Sequence, residues 1–132
     1  MEPSAKTFYK AIERLDNSSV IMSKILLLNA FPLGLSRESA VHNEAGFYIK
    51  NSTPTKFSGE IRKEINKYSL SYLKLILSVL PNIKIITLGT YARDKIKKLG
   101  FNSRYHMHPS PQALNPRKIT EEYWIKEFIK EF

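Results

Sequence analysis

The chain is expected to fold as α/β with a small, mainly parallel sheet, and three observations predict it. Helical periods and short apolar runs alternate along the sequence in the order helix, strand, loop, helix, strand, helix, strand, helix. The runs Lys24–Asn29 and Ile83–Leu88 are nearly continuous apolar segments, the pattern of parallel strands buried on both faces, and Ser103–Met107 is a third, shorter strand. Each ends on a polar or turn residue: Asn29, then Gly89-Thr90, then His108. Ligands of open α/β sheets bind outside the carboxyl ends of the strands, so these three ends are the natural place for a site.

The remaining elements follow from period and punctuation. From Ser4 to Leu15 the apolar residues Phe8, Ala11, Ile12 and Leu15 recur at helical spacing, and Asp16-Asn17-Ser18-Ser19 breaks the pattern into a turn. Phe31 to Phe57 carries Pro32, Gly34, Gly46 and Pro54 among polar residues and reads as a long loop. Ser58 is placed to cap a helix from Gly59 to Leu80. Its expected buried stripe is Ile61, Ile65, Tyr68, Tyr72, Ile76 and Val79, broadened by Leu73, Leu77 and Leu80 and stopped by Pro81. Tyr91 to Leu99 is a short helix with Ala92, Ile96 and Leu99 inward, closed by Gly100. Thr120 caps a C-terminal helix whose first turn holds Glu121 and Glu122, where carboxylates favour the helix dipole; Tyr123, Trp124, Phe128 and Phe132 supply its apolar contacts.

Composition bounds the function. A chain of 132 residues with 42% hydrophobic content suits one domain, 1–132, with a real core. Twenty-one Lys and Arg against twelve Asp and Glu give a net charge of +9, which favours a polyanion such as nucleic acid, with acidic protein or membrane headgroups as the other options. The absence of cysteine excludes a disulfide framework and Cys-based zinc sites, and three histidines argue against a structural metal. No run reaches the ~20 apolar residues of a membrane span, and the start lacks a signal-peptide core. An intracellular protein without membrane contact is expected. Neither a Gly-rich phosphate loop nor a Ser nucleophile elbow is present.

His108-Pro109-Ser110-Pro111 stands out. Each proline fixes φ and biases the residue before it toward extended geometry, so His108 and Ser110 should sit on a stiff, non-helical rim. A plain Pro-rich loop fits the composition equally well. His106 alternates with His108, so both imidazoles are expected on one face.

Leu26-Leu27-Leu28-Asn29, Leu88-Gly89-Thr90-Tyr91-Ala92 and Met107-His108-Pro109-Ser110-Pro111, the last followed by Asn115-Pro116, occur in the order and approximate spacing of the motifs of one family. The chain resembles the uracil-DNA glycosylase superfamily, and within it the single-strand-selective monofunctional branch. The resemblance spans roughly Lys24 to Lys118. It implies a three-layer α/β/α fold and base excision repair of DNA, single- or double-stranded, by a monomer without metal or cofactor. It places the protein in the cytoplasm with the nucleoid if bacterial, or in the nucleus if eukaryotic.

The same resemblance implies roles residue by residue. Asn29 would read the Watson–Crick edge of an extruded uracil, since an amide offers both a donor and an acceptor. His108 would hydrogen-bond uracil O2 as negative charge builds there, the electrostatic role of an oxyanion hole. Gly89 and Thr90 would contact one phosphate and Ser110 a second. Gln112, Ala113 and Leu114 would form the wedge that replaces the flipped base, with Leu114 its apolar member. Arg117 and Lys118, and less directly Arg93 and Lys95, would neutralise phosphates. Solvated surface and turn chemistry account for most of these residues as well: Asn29 as a strand terminator, Thr90 as an N-cap, the basic residues as an exposed face.

One part of the family pattern is missing. Its first motif, an earlier strand supplying the residue that handles water, has no counterpart before Lys24. Either these residues are the C-terminal part of a longer protein, or the chain is a reduced relative. Glu38 and Glu44, the latter beside His42 and Asn43, are the only carboxylates in suggestive loop positions. Two functions follow: a glycosylase that hydrolyses the N-glycosidic bond of uracil or a related damaged pyrimidine, or a catalytically weak or inactive nucleic-acid-binding module on the same fold.

Overall fold

The computed structural model describes residues 2–33, 35, 41–43, 46–48 and 52–132, with 41–43 and 46–48 described as backbone. In chain order the elements are α1 (Pro3–Glu13), α2 (Ser18–Met22), β1 (Val41–Asn43), β2 (Gly46–Tyr48), α3 (Gly59–Val79), β3 (Ile86–Leu88), α4 (Thr90–Lys98), β4 (Arg104–His106), α5 (Pro111–Leu114) and α6 (Glu121–Phe128). Single 3-10 turns lie at Pro54–Lys56, Asn115–Arg117 and Ile129–Glu131. They divide into two compact units, Met1–Leu27 with Lys84–Phe132, and Leu28–Ile83.

The first unit is mixed helix and sheet. β3 and β4 pair in parallel, Ile86 with Arg104, Thr87 with Tyr105 and Leu88 with His106, and α4 is the crossover between them. Both strands are shorter than the segments that predict them, Ile83–Leu88 and Ser103–Met107. Side-chain alternation divides β3: Ile86 and Leu88 pack against the core, while Thr87, 2% exposed, turns its hydroxyl to the Arg104 carbonyl at 3.2 Å. The core is Phe8, Ala11 and Ile12 of α1, Leu114 of α5, and Trp124, Ile125 and Phe128 of α6. The i, i+3, i+4 spacing on α1 and the matching set on α6 put one apolar stripe on each helix. Trp124 stacks on Phe128 at 4.7 Å between centroids with the rings 17° apart, and Phe8 meets the same Phe128 ring at 5.6 Å. Burying each such side chain is worth about 1.5–3 kcal/mol.

Charge along the rim of α1 and α6 fixes how they meet. Lys10 reaches Glu121 at 3.0 Å, and Arg14 takes Glu122 in two bonds of 2.5 and 2.8 Å. These pairs are exposed, so each adds at most about 1 kcal/mol; their effect is on register more than stability. The Thr120 hydroxyl accepts from the Tyr123 amide at 3.1 Å, the expected cap of α6.

The second unit holds the long helix. α3 spans Gly59–Val79, as the periodicity predicts, and buries Ile65, Ser69, Leu73 and Leu77. Ile65, Leu73 and Leu77 are buried as expected, whereas Ile61, Tyr68 and Val79 are 61%, 48% and 65% exposed, so the buried stripe is rotated in part from the expected one. Leu75 is 64% exposed. Apolar residues occur on two sides of α3, and a serine sits in the buried stripe because its hydroxyl is satisfied by the Ala30 carbonyl. Phe31 packs edge-on against Tyr68 at 5.8 Å. Within the expected long loop, β1 and β2 form an antiparallel pair, Val41 opposite Tyr48 and Asn43 opposite Gly46.

Lys24–Asn29 is not a strand. Ile25 packs on the core of the first unit, while Leu26, Leu27 and Leu28 are 60%, 51% and 37% exposed and enter no ladder. A strand exists only with a neighbour to share its backbone bonds, and among the described residues β3 and β4 pair with each other alone. Among the described residues, no helix is long and apolar enough to cross a membrane.

The rotated stripe on α3 makes a direct prediction. Leu73→Ala should lower the free energy of urea unfolding, followed by circular dichroism, by about 2–5 kcal/mol, and Leu75→Ala two residues on should stay within about 0.5 kcal/mol. Equal losses at both positions would contradict this face assignment.

Candidate functional site

β3 and β4 end side by side, and their exits close on one another. The Gly89 amide donates to the His106 carbonyl at 2.8 Å, carrying the parallel ladder one residue past β3. Gly89 has φ +92°, a conformation that L side chains rarely adopt, and a Cβ built there would lie 3.3 Å from the His108 Cβ. Glycine is therefore required twice at this position, by its backbone angle and by the approach of His108. Gly89, not Thr90, is the N-cap of α4; Thr90 is its first residue, with an exposed side chain. The amino end of α4, whose free N–H groups and dipole favour an anion, thus opens next to His108.

His108 is exposed, yet the surroundings that desolvate its ring lower its pKa from the ordinary imidazole value; the Glu2 carboxylate acts in the opposite direction. The direction of this shift favours the neutral ring. The peptide before it is held from below, where the Trp124 indole N–H donates to the Met107 carbonyl at 2.7 Å. His106 takes a different environment. Its Nε2 lies 2.9 Å from Glu131 Oε1, Lys84 sits 2.9 Å from Glu131 Oε2, and the ring packs edge-on against Phe128 at 5.3 Å. The Glu131 pKa is lowered first by the bond to His106 and then by the bond to Lys84. His106 anchors the C-terminal turn, and His108 is the imidazole open to a ligand.

His108 and Ser110 are non-helical, as expected of residues that precede proline, with Ser110 extended at φ −83° and ψ 147°. Pro109 is buried, and Ser110 is the N-cap of α5, its carbonyl accepting from the Ala113 and Leu114 amides at 2.9 and 3.1 Å. Pro111 is the first helical residue, a position where its missing N–H costs nothing, so a helical turn stands where the wedge loop is expected. Gln112 is exposed. Leu114 is 4% exposed and belongs to the core with Phe8 and Trp124. It is not a projecting wedge, because extracting it would open a cavity worth about 2–5 kcal/mol. Arg117 donates to the Ala113 carbonyl at 2.9 Å, and Lys118 closes the turn in a left-handed conformation at φ 54°; both side chains are exposed. Behind the prolines lies an open cleft of about 590 Å³, lined by Thr7, Pro109, Pro111, Leu114, Lys118 and Glu121 among others. Neither His108 nor Gly89-Thr90 lines it, so the cleft and the strand-end site are separate features.

Asn29 is exposed and belongs to the Leu28–Ile83 unit, while His108, Gly89-Thr90, Ser110, Gln112, Arg117 and Lys118 belong to the other. Glu38 and Glu44 lie outside the described residues. Two participants escape sequence reasoning. Glu2 acts on His108 across more than a hundred residues of chain, a relation no local pattern encodes. Trp124 reads as an apolar contact, and only its indole nitrogen, which needs a partner when buried, hints at more. Among the described residues, no group of three or more His, Asp or Glu side chains is placed to hold a metal ion. Comparison with family models, curated proteins and solved structures gives no match.

Since His108 has a lowered pKa, its neutral form contributes stability that is full above the ordinary imidazole range and is lost as pH falls through that range. NMR titration should place its midpoint below that of an exposed histidine, and Glu2→Gln should lower it further. Gly89→Ala should destabilise the fold by about 1–3 kcal/mol and move the His108 ring resonances. An unshifted His108 in both variants would contradict this account of the strand ends.

Proposed function

We propose that this chain is a uracil-DNA glycosylase-like protein that binds DNA and hydrolyses the N-glycosidic bond of uracil or a related damaged pyrimidine. The observation that carries the reading is the closure of Gly89-Thr90 onto His108 at the carboxyl ends of two parallel strands, beside the amino end of α4. A base seated against His108 would find a neutral imidazole able to hydrogen-bond O2. Stabilising charge as it develops on a departing base is the kind of electrostatic contribution a fixed donor makes best. The phosphate 5′ or 3′ to that base would take the Thr90 hydroxyl and the first amides of α4. Asn29 would supply the donor and acceptor that distinguish uracil, and the fold would be the family's three-layer α/β/α arrangement. No metal or cofactor is called for by this chemistry.

The burial of Leu114 favours a particular substrate. With that side chain in the core, the segment has lost its one large apolar candidate for filling the gap left by a base pulled from a duplex. A strand whose bases are already unstacked avoids that cost, so single-stranded DNA is the better fit.

The test is release of free uracil from an end-labelled single-stranded oligonucleotide, followed by alkaline cleavage of the abasic product. Release should occur, and His108→Ala should slow it by about 100-fold or more, the scale expected when one transition-state donor is removed. Salt-sensitive binding without any release would instead support the non-catalytic binding module, and absence of both would overturn both readings.

A further inference from the structure

The cationic side chains of the first unit are distributed unevenly, and the pairing of its carboxylates makes this sharper. On the α1 and α6 side, Lys10 and Arg14 are matched by Glu121 and Glu122, Lys130 by Glu127, and Lys84 by Glu131. From Thr90 to His106, by contrast, Arg93, Lys95, Lys97, Lys98 and Arg104 face a single carboxylate, Asp94, which Arg93 holds at 2.9 Å. Lys97, Lys98 and Arg104 have no ion-pair partner among the described residues. Like charges this close repel, and the fold retains them on one short helix and its neighbouring strand.

Aromatic rings are interleaved with these charges. The Arg93 guanidinium lies 5.0 Å from the centroid of Tyr105, and the Lys95 ammonium 4.7 Å from that of Tyr91. Such contacts hold a cation over a ring and steady the ring itself. Tyr105 is nevertheless 41% exposed, and Phe101 44% exposed. β4, which carries Arg104 and Tyr105, pairs with β3 alone and so presents a free edge among the described residues. Three residues beyond Tyr105 is His108, a run of about 10 Å along an extended chain, short enough for one bound strand to meet both.

We propose that the α4–β4 surface, with Tyr105 and Phe101 as stacking rings and Lys97 and Lys98 as phosphate-binding cations, is a track for single-stranded nucleic acid leading to His108. The proposal rests on the nucleic-acid reading above and adds to it the path of the strand. Exposed rings stack only on bases that are not already stacked in a duplex, and a steadied ring among unpaired cations is how sequence-tolerant single-strand binding is built. Duplex DNA would use the cations and leave the rings idle. An acidic protein would do the same.

The probe is a fluorescein-labelled oligothymidylate 15-mer without uracil, bound to the full chain and read by fluorescence anisotropy across a salt series. Tyr105→Ala should weaken binding about tenfold, and Tyr105→Phe should bind as the wild type does. The pair Lys97→Glu with Lys98→Glu should weaken it further and flatten the dependence of log affinity on log salt by about 0.7 for each phosphate no longer neutralised. All of these residues are exposed, and unchanged circular dichroism verifies the fold. Wild-type affinity in Tyr105→Ala overturns the proposal. So does an equal loss for duplex of the same length, which would leave charge alone at work, or displacement by polyglutamate as effective as by unlabelled oligothymidylate, which would point to an acidic protein. Ring-dependent oligothymidylate binding in a protein that releases no uracil leaves the track standing and removes the glycosylase reading. Uracil release with binding indifferent to Tyr105 does the reverse.

Discussion

The hydrogen bond from the Trp124 indole to the Met107 carbonyl is the constraint on which the rest of the site depends. Trp124 is fixed by burial and by its stack on Phe128, which in turn meets Phe8 of the first helix. Packing between the two ends of the chain is thereby converted into the position of one peptide at the exit of β4. From the other side, the Gly89 amide holds the His106 carbonyl. His108 leaves a backbone pinned at the two preceding residues, and pinning of this kind is what a donor aimed at developing charge requires. The two histidines illustrate the division of labour. His106, tied to Glu131 and wrapped by aromatic rings, belongs to the scaffold, whereas His108 is presented by it.

Electrostatics follow from the same arrangement. The carboxylates of α6 are drawn onto α1, where Glu121 and Glu122 have pKa values lowered by their bonds to Lys10 and Arg14. The stretch of α4 and β4, with five cationic residues and one carboxylate, carries a local excess of positive charge. The side that supplies stability and the side that offers charge to a polyanion are thus separate, and the strand ends lie where both can act on a ligand.

Legibility in the sequence varied with how local the determining interaction is. The existence and type of α1, α3, α4 and α6 could be read from 3.6-residue periods and from Ser58, Gly89 and Thr120 at their starts. β3 and β4 could be read as strands, because their apolar runs are framed by Gly89 and the His108 prolines. Ile65, Leu73 and Leu77 of the buried face of α3 could be read as well, but Ser69 could not, since a serine enters a buried stripe only with a partner, here the Ala30 carbonyl, that no helical period encodes. Leu26-Leu27-Leu28 has the composition of a buried strand and fails to be one for want of a partner, a property of the sheet and not of the segment. Leu114 shows the same limit at the site. Its place after a Pro-rich loop suggests a projecting wedge, but a one-turn helix begun by Pro111 rotates it into the core. His108 and Gly89-Thr90 were legible as strand ends, and their mutual approach, set by a positive φ and a buried indole, was not.

The most direct test of this account is the NMR titration of His108 in Trp124→Phe, which keeps an aromatic ring on Phe128 and removes the indole N–H together with part of the ring volume. Loss of that buried bond should cost about 1–3 kcal/mol in stability, leave the helical content intact, and move the His108 midpoint toward that of a free imidazole as β4's exit loosens. A folded Trp124→Phe protein with an unchanged His108 titration would contradict the claim that α6 sets the geometry of the strand-end site.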